Sequence, residues 1–239
     1  MTIKELKWDS AFFQRKIGAL KVPSDDRSGL KETFKKAKKD GFAYLTCRLA
    51  VQDTGLIKSL ESAGFYLTDI GVTLATDIRR YFSNEKQSRP TIKHLIQAAT
   101  LEDIPALQKY ITSLFRESRF YNDPFFSRAD ADRLYRAWIE NSVRGEAADF
   151  VFHIPGAGFV SCRKAGKHSG QIVLVGVKKR FRGKGYGTAL MAEAMEWFRK
   201  ERISTVTVRT QLKNTKALNF YLHSGFMVKE YDIIFGRIL

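Results

Sequence analysis

The sequence predicts an α/β protein with a mixed α+β sheet, built as a smaller N-terminal α/β domain and a larger C-terminal one. Three observations predict it. Strand-like and helix-like segments alternate after residue 90 in the order β-α-α-β-β-β-α-β-α-β. The polar stretch YFSNEKQSRP, Tyr81 to Pro90, reads as a linker and places the two domains at 1–86 and 91–239. The third observation is an echo between the two parts at a constant offset of 161 residues.

Each element has its own signal. In the first part, CRLAVQDTGLIKSLESAGF (Cys47 to Phe65) lies over VRTQLKNTKALNFYLHSGF (Val208 to Phe226). Arg48 falls on Arg209, Asp53 on Asn214, Thr54 on Thr215, Gly64 on Gly225 and Phe65 on Phe226. Helix GLKETFKKAKKDG then falls over the end of the helix that closes at Arg202. In the second part, TIKHLIQAA alternates like a strand. TLEDIPALQKYITSLF opens with a capping box, Thr100 to Asp103, and carries Ile104, Leu107, Ile111 and Leu114 at helical spacing. ADADRLYRAWIENSVRG is a second helix, stopped at Gly145. DFVFHI, GFVSCRKAG and GQIVLVGV are three strands separated by Gly or Pro turns. Helix TALMAEAMEWFRKER has an apolar stripe of Leu190, Met191, Ala194, Met195 and Phe198 that suits a core. Strand ISTVTVRTQ, helix NTKALNFYLHSGF and strand EYDIIFGRIL complete the chain. A C-terminal strand left at a sheet edge would allow a homodimer.

Composition narrows the partners. Of 239 residues 44% are hydrophobic, enough for a sizeable core, and the net charge is +16. Such a surface attracts nucleic acid, anionic membranes or phosphorylated small molecules. Cys47 and Cys162 are far apart in strand contexts and read as reduced, packed thiols. The four histidines are scattered, and no Cys/His cluster has metal-ligand spacing, so no metal is expected. The opening MTIKELKWDS has no apolar signal-peptide core and no run approaches a membrane span. The expectation is a cytoplasmic protein.

The stretch VKKRFRGKGYGTAL, Val177 to Leu190, sets glycines at 183, 185 and 187 among Lys178, Lys179, Arg180, Arg182 and Lys184. It follows a Val/Ile strand and opens a helix, where backbone N–H groups and the helix dipole favour an anion. The spacing is neither a Walker loop, which needs Gly-Lys before Ser or Thr, nor the Rossmann G-x-G-x-x-G. What stands is Arg182-x-x-Gly185-x-Gly187. That pattern resembles the acetyl-CoA pyrophosphate loop of the GNAT N-acetyltransferase family. NTKALNFYLHSGF resembles that family's second cofactor motif.

The resemblance implies acetyl-CoA as the acyl donor. It implies pyrophosphate binding by the backbone of Gly183, Lys184, Gly185, Tyr186, Gly187 and Thr188, with charge from Arg182 and Lys184. It implies that Val175 and Val177 offer backbone groups to the pantetheine arm and that an N–H near Val177 polarises the thioester carbonyl. Asn214 would touch the pantetheine arm, and Tyr221, seven residues on, would protonate the leaving thiolate. The plainer reading of Tyr221 is a packed aromatic beside Phe220. Opposite the glycine loop the first part has VPSDDRSG, and opposite Tyr221 it has Leu60. A second copy of this kind lacks the anion loop and would serve as a scaffold or acceptor wall.

For the acceptor, LKWDSAFFQRKIG, SRFYNDPFF…RLYRAWIENSVRG and TQLKNTKALNFYLHSG together resemble the TDP-fucosamine acetyltransferases within that family. The resemblance implies transfer to the 4-amino group of a dTDP-4-amino-4,6-dideoxy sugar for surface polysaccharide. Arg119 and Arg136 are candidates for the acceptor's diphosphate, and their plainer reading is solvated helix charge. Trp8, Phe12, Phe13, Phe120, Tyr121 and Trp138 could stack on base or sugar, and most of them suit a core equally. The resemblance places an acid after GFYLTD, here Asp69, to take the amine proton. Glu is common at that position, so Asp69 is shorter by a methylene. Two other readings stay open. One is N-acetylation of a protein N-terminus, an antibiotic or a polyamine. The other is a non-catalytic module that senses CoA or binds nucleic acid through the basic surface, which Asn214 and Tyr221 in register with the loop disfavour.

Overall fold

A computed structural model describes residues 1–23, 29–50, 52–83 and 91–239. In chain order the elements are β1 (Thr2–Glu5), α1 (Lys7–Phe13), β2 (Ile17–Lys21), α2 (Leu30–Lys39), β3 (Tyr44–Ala50), α3 (Thr54–Ser62), β4 (Tyr66–Asp77) and α4 (Ile78–Ser83). Then come β5 (Gln97–Ala98), α5 (Ile104–Ile111), α6 (Arg119–Asn122), α7 (Arg128–Val143), β6 (Phe150–Ile154), β7 (Gly158–Lys164) and β8 (Ser169–Val177). The chain closes with α8 (Tyr186–Lys200), β9 (Thr205–Gln211), α9 (Thr215–His223) and β10 (Met227–Ile238). Among the described residues no helix is long and apolar enough to cross a membrane.

Two compact units form. The first holds Met1–Gly71, Ser118–Asp130 and Tyr231–Leu239; the second holds Val72–Glu117 and Ala131–Glu230. They are cut at different places from the 1–86 and 91–239 halves. The reason is packing: Val72, Leu74, Ile78 and Tyr81 all bury in the core of the second unit. Tyr81 therefore lies within α4, buried, and is not part of a polar linker; residues 84–90 lie outside the described residues.

In the first unit the strand order is β1-β2-β3-β10. β2 and β3 are parallel, and β10 returns antiparallel to β3 from Asp232↔Ala50 to Ile238↔Tyr44. From Asp232 to Ile238 β10 is hydrogen-bonded to β3, and the strand order sets β4 on its other side, so it is not the free edge expected to pair with another copy. Its core gathers Leu30, Phe34, Leu45, Leu60, Phe65 and Phe235. Each such side chain contributes about 1.5–3 kcal/mol on full burial. In the second unit the order is β4-β9-β8-β7-β6-β5, with α8 laid on it through Leu190, Met191, Ala194, Met195 and Phe198. Cys47 and Cys162 are free and buried; burial lifts the Cys47 thiol to about 11 and the Cys162 thiol further.

Two expected elements differ. TIKHLIQAA forms a 3-10 turn over Thr91–Leu95 and only two residues of strand. A short segment with apolar residues at Ile92 and Leu95 satisfies a three-residue repeat as well as an alternating one. α6 is a separate short helix between the two longer ones. The Thr100 capping box forms, with the Thr100 N–H donating to Asp103 Oδ2 at 2.8 Å.

The echo is present in the backbone. β3, α3 and β4 have 7, 9 and 12 residues, and so do β9, α9 and β10, each 161 positions later. Asp53 caps α3 by accepting from the Leu56 N–H at 3.0 Å, and Asn214 caps α9 by accepting from the Ala217 N–H at 3.2 Å. Gly64 and Gly225 have φ of +80° and +85°, and Phe65 and Phe226 follow them into the cores. The first-unit residues expected opposite the glycine loop fall largely at 24–28, outside the described residues.

Candidate active site

In the second unit the site begins with a fork. β8 pairs with β9 only from Ser169↔Thr205 to Ile172↔Val208. On its other side it stays paired with β7 as far as Val177↔Gly158. The parting coincides with a bulge: Ser161 faces Leu174 and Cys162 faces Ile172, so Val173 is an extra residue that bends the strand. Beyond it one edge of β8 is open.

The groups on that edge follow from alternation. The N–H of Leu174 donates to Ser161 Oγ at 3.0 Å and that of Lys178 to Ala157 O at 2.8 Å, both toward β7. The N–H groups between them alternate in direction, so those of Val175 and Val177 point to the open edge. The Val177 carbonyl shares that edge and accepts from Arg182 Nε at 2.8 Å. Arg182 therefore folds back on the strand end and still has its terminal N–H groups to offer.

After Val177 a 3-10 turn, Lys179–Phe181, leads to the glycines. Gly183 and Gly185 have φ of +72° and +80°, a left-handed conformation that side chains disfavour, and both are exposed. Gly187 has a different reason to be glycine: a Cβ there would lie 3.3 Å from Phe220 Cε2. Gly185 is the N-cap of α8, and the first intrahelical bond is Ala189 N–H to Gly185 O at 2.9 Å. The N–H groups of Tyr186, Gly187 and Thr188 are left for a ligand. Left-handed glycines, open N–H groups and the exposed Lys184 fit a diphosphate, and the open strand edge fits an extended amide-bearing arm. Lys178 lies 4.2 Å over the Tyr110 ring; burial, then Arg180 and Lys109, hold its pKa below the ordinary lysine value.

α9 supplies the next two candidates. The Asn214 Oδ1 is committed to the cap, which leaves its amide NH2 to donate. Tyr221 is 5% exposed, with its ring 5.4 Å from Phe220 and 6.0 Å from Phe226. Burial pushes its phenol above the ordinary value. The same desolvation raises a thiol beside it, so proton transfer between the two is shifted less than either group alone.

The other expected residues distribute between the units. Asp69 is in the first unit, 7% exposed, with Oδ1 accepting from the Ile70 N–H at 2.9 Å. Arg119, Phe120 and Tyr121 lie on α6, also in the first unit, and the Arg119 guanidinium sits 4.6 Å over the Phe120 ring. Phe120 packs on Phe126 at 5.1 Å and Phe13 at 6.2 Å, so much of it is core. Trp138 is on α7 in the second unit, tilted on Tyr135 at 5.9 Å. Arg136 is exposed.

Sequence reasoning missed the residue that organises the YNDPFF stretch. Asp123 is buried and accepts from Tyr44 OH at 2.5 Å, Tyr66 OH at 2.8 Å and the Phe125 N–H at 3.0 Å. Burial first, with the Asp123 carboxylate beside them, raises both phenols and keeps them neutral donors. Asp123 thereby fixes the chain just after Arg119–Tyr121. Sequence reasoning also missed Tyr110, whose OH is buried without a hydrogen-bond partner among the described residues, and the buried His153, whose Nε2 lies 3.5 Å from Asp103 Oδ2. Neither residue carries a local motif.

Comparisons with known proteins agree with this geometry. Residues 110–226 match the acetyltransferase (GNAT) family. The chain is 28% identical over 233 residues to the dTDP-fucosamine acetyltransferase of Escherichia coli O6:H1, covering 95% of this chain and 94% of that one. It is 27% identical over 143 residues to the spore coat polysaccharide biosynthesis protein SpsD of Bacillus subtilis, covering 54% of this chain and 45% of that one. Among solved structures, a tandem GNAT protein from the clavulanic acid biosynthesis pathway shares the fold. Its TM-score is 0.58 at 14% identity, over 93% of this chain and 75% of that one.

Proposed function

We propose that this chain, which carries a GNAT acetyltransferase domain and uses acetyl-CoA as an acyl donor, acetylates the 4-amino group of a dTDP-linked amino-deoxy sugar. The acyl-transfer chemistry rests on one observation above others: the fork that turns the Val175 and Val177 N–H groups to an open edge just before the glycine loop. The acceptor is supported by similarity to dTDP-fucosamine acetyltransferase along nearly the whole chain. A net charge of +16 also suits a protein that handles two diphosphates.

Acetyl-CoA supplies an activated acetyl group as a thioester. The N–H groups of Gly183 to Thr188 hold its pyrophosphate, with charge from Lys184 and Arg182. Val175 and Val177 hydrogen-bond the pantetheine amides, and the Val177 N–H polarises the thioester carbonyl where negative charge develops. The Asn214 amide donates to the same arm. Tyr221 gives its proton to the departing sulfur; positioned acids contribute about 10²- to 10⁴-fold. Asp69 takes the proton that the attacking amine must lose. Arg119 binds the acceptor's diphosphate, and Phe120, Tyr121 and Trp138 line its sugar or base.

The test is thiol release from acetyl-CoA with dTDP-4-amino-4,6-dideoxygalactose, its glucose epimer, and a panel of peptides and polyamines. Turnover confined to the sugar nucleotides is the expected result. Turnover confined to another amine discards the acceptor and keeps the chemistry. Tight acetyl-CoA binding without turnover on any amine discards both. For Asp69 the readout is the pH–rate profile of Asp69→Asn, which loses its acidic limb if the carboxylate is the base and is unchanged if it is not.

A further inference from the structure

The first unit contains a groove of about 590 Å³ that the proposed transfer does not use. It is lined by Lys31, Phe34, Lys35, Lys38, Gly64 and Arg237. Lys31, Lys35 and Lys38 stand at i, i+4 and i+7 on α2, so they share one face over about 10 Å. All three are exposed, while Phe34 and Ala37 bury the other side of the helix. Arg237 reaches in from β10 and lies 4.3 Å over the Phe34 ring. A Cβ at Gly64 would come within 3.2 Å of Arg237 Nη1, so the α3 terminus is kept small beside the guanidinium.

No Asp or Glu lines the groove, and no ion pair reaches these four cations among the described residues. Leu239 also lines it, and even a carboxylate there offsets one positive charge of four. Like charges at this spacing repel and weaken the helix. The fold does not require them. At the matching positions of α8 stand Ala192, Glu196 and Arg199, and there Glu196 and Arg199 pair with each other at 2.6 Å.

We infer that this groove binds a diphosphate-bearing small molecule, a nucleoside diphosphate in chemical class, at a site separate from the acetyl-CoA loop. The volume falls in the range of small-ligand clefts, about 300–1,000 Å³. The bounded length of about 10 Å suits one diphosphate with its sugar better than an extended phosphate track. Three ammonium groups and a guanidinium meet the phosphates, and the exposed Ile238 offers apolar surface to the rest.

The test titrates inorganic pyrophosphate, then a nucleoside diphosphate, into the full-length Arg119→Gln chain saturated with CoA, so that the glycine loop is occupied and the proposed acceptor subsite is disabled. The expected result is saturable 1:1 binding, tighter for the nucleoside diphosphate. It weakens about tenfold in the Lys35→Glu, Lys38→Glu double variant and in Arg237→Gln, with the KM for acetyl-CoA unchanged. Absence of binding, or binding unaltered in the double variant, overturns the inference. Binding restricted to heparin or single-stranded RNA, with a steep salt dependence, overturns it too and marks a polyanion track. Both lysines are exposed, so the double variant remains an informative protein even if Arg237→Gln fails to fold.

Discussion

The run from Tyr44 to Asp77 and the run from Thr205 to Ile238 share lengths, caps and the glycine that ends their helix, and they part at the positions where chemistry would be done. Where packing alone decides, Leu60 fills the core of the first; at the matching place the second buries the phenol of Tyr221. Asp53 and Asn214 cap equally well, and only Asn keeps a donor for something else. The largest difference is an insertion. Ile17 pairs with Tyr44, 27 residues on, whereas Ser169 pairs with Thr205, 36 residues on. The nine extra residues divide between a longer strand, β8 having four more residues than β2, and a longer helix, α8 having five more than α2, while the connections between strand and helix are equal in length. On the proposed reading, the scaffold and the chemistry are carried by different residues of the same elements.

Substitutions can break or sharpen that contrast. The largest effect is expected from Tyr221→Phe, a loss of about 10²- to 10⁴-fold in kcat with acetyl-CoA binding retained. Leu60→Ala is its counterpart and should instead cost about 2–5 kcal/mol of stability, measured by denaturant unfolding. Next is Gly185→Val, which forces a branched residue to a φ of +80° and should raise the KM for acetyl-CoA by about one to two orders of magnitude through the lost anion cradle. Asn214→Asp keeps the cap and removes the amide donor, so KM should rise about tenfold at an unchanged Tm, while Asp53→Asn changes neither. The smallest concerns a left-handed position three residues before each run, Gly41 at φ +79° and Arg202 at φ +57°. Arg202→Gly should stabilise the protein by about 1 kcal/mol without touching activity, read from the urea midpoint.

Much of this was legible in the sequence because it is local. The Asn214 cap, the Gly225 stop and the glycine loop each lie within a few residues of the groups they serve. The 161-residue offset was legible because it keeps both caps and helix stops in step. What was not legible depends on partners distant in the chain. Asp123 draws on Tyr44 and Tyr66, 79 and 57 residues away, and no periodicity links them. The bulge at Val173 is a mismatch of register between two strands and has no signature in either alone. The stretch after Pro90 misled for the opposite reason: its pattern was too short to separate a strand from a 3-10 turn.

The fork in β8 carries a thermodynamic consequence. Two backbone amides that a sheet would normally satisfy face an open edge, and on the proposed reading the donor's arm completes the sheet there. Folding and donor binding are therefore linked. Donor at a hundred times its Kd should add about 2.7 kcal/mol to stability. In hydrogen exchange the amides of Val175 and Val177 should pass from fast to slow as the arm seats, while that of Leu174, held by Ser161 Oγ, stays protected throughout. Those amides would then report whether the second unit has its cosubstrate, before any acceptor arrives.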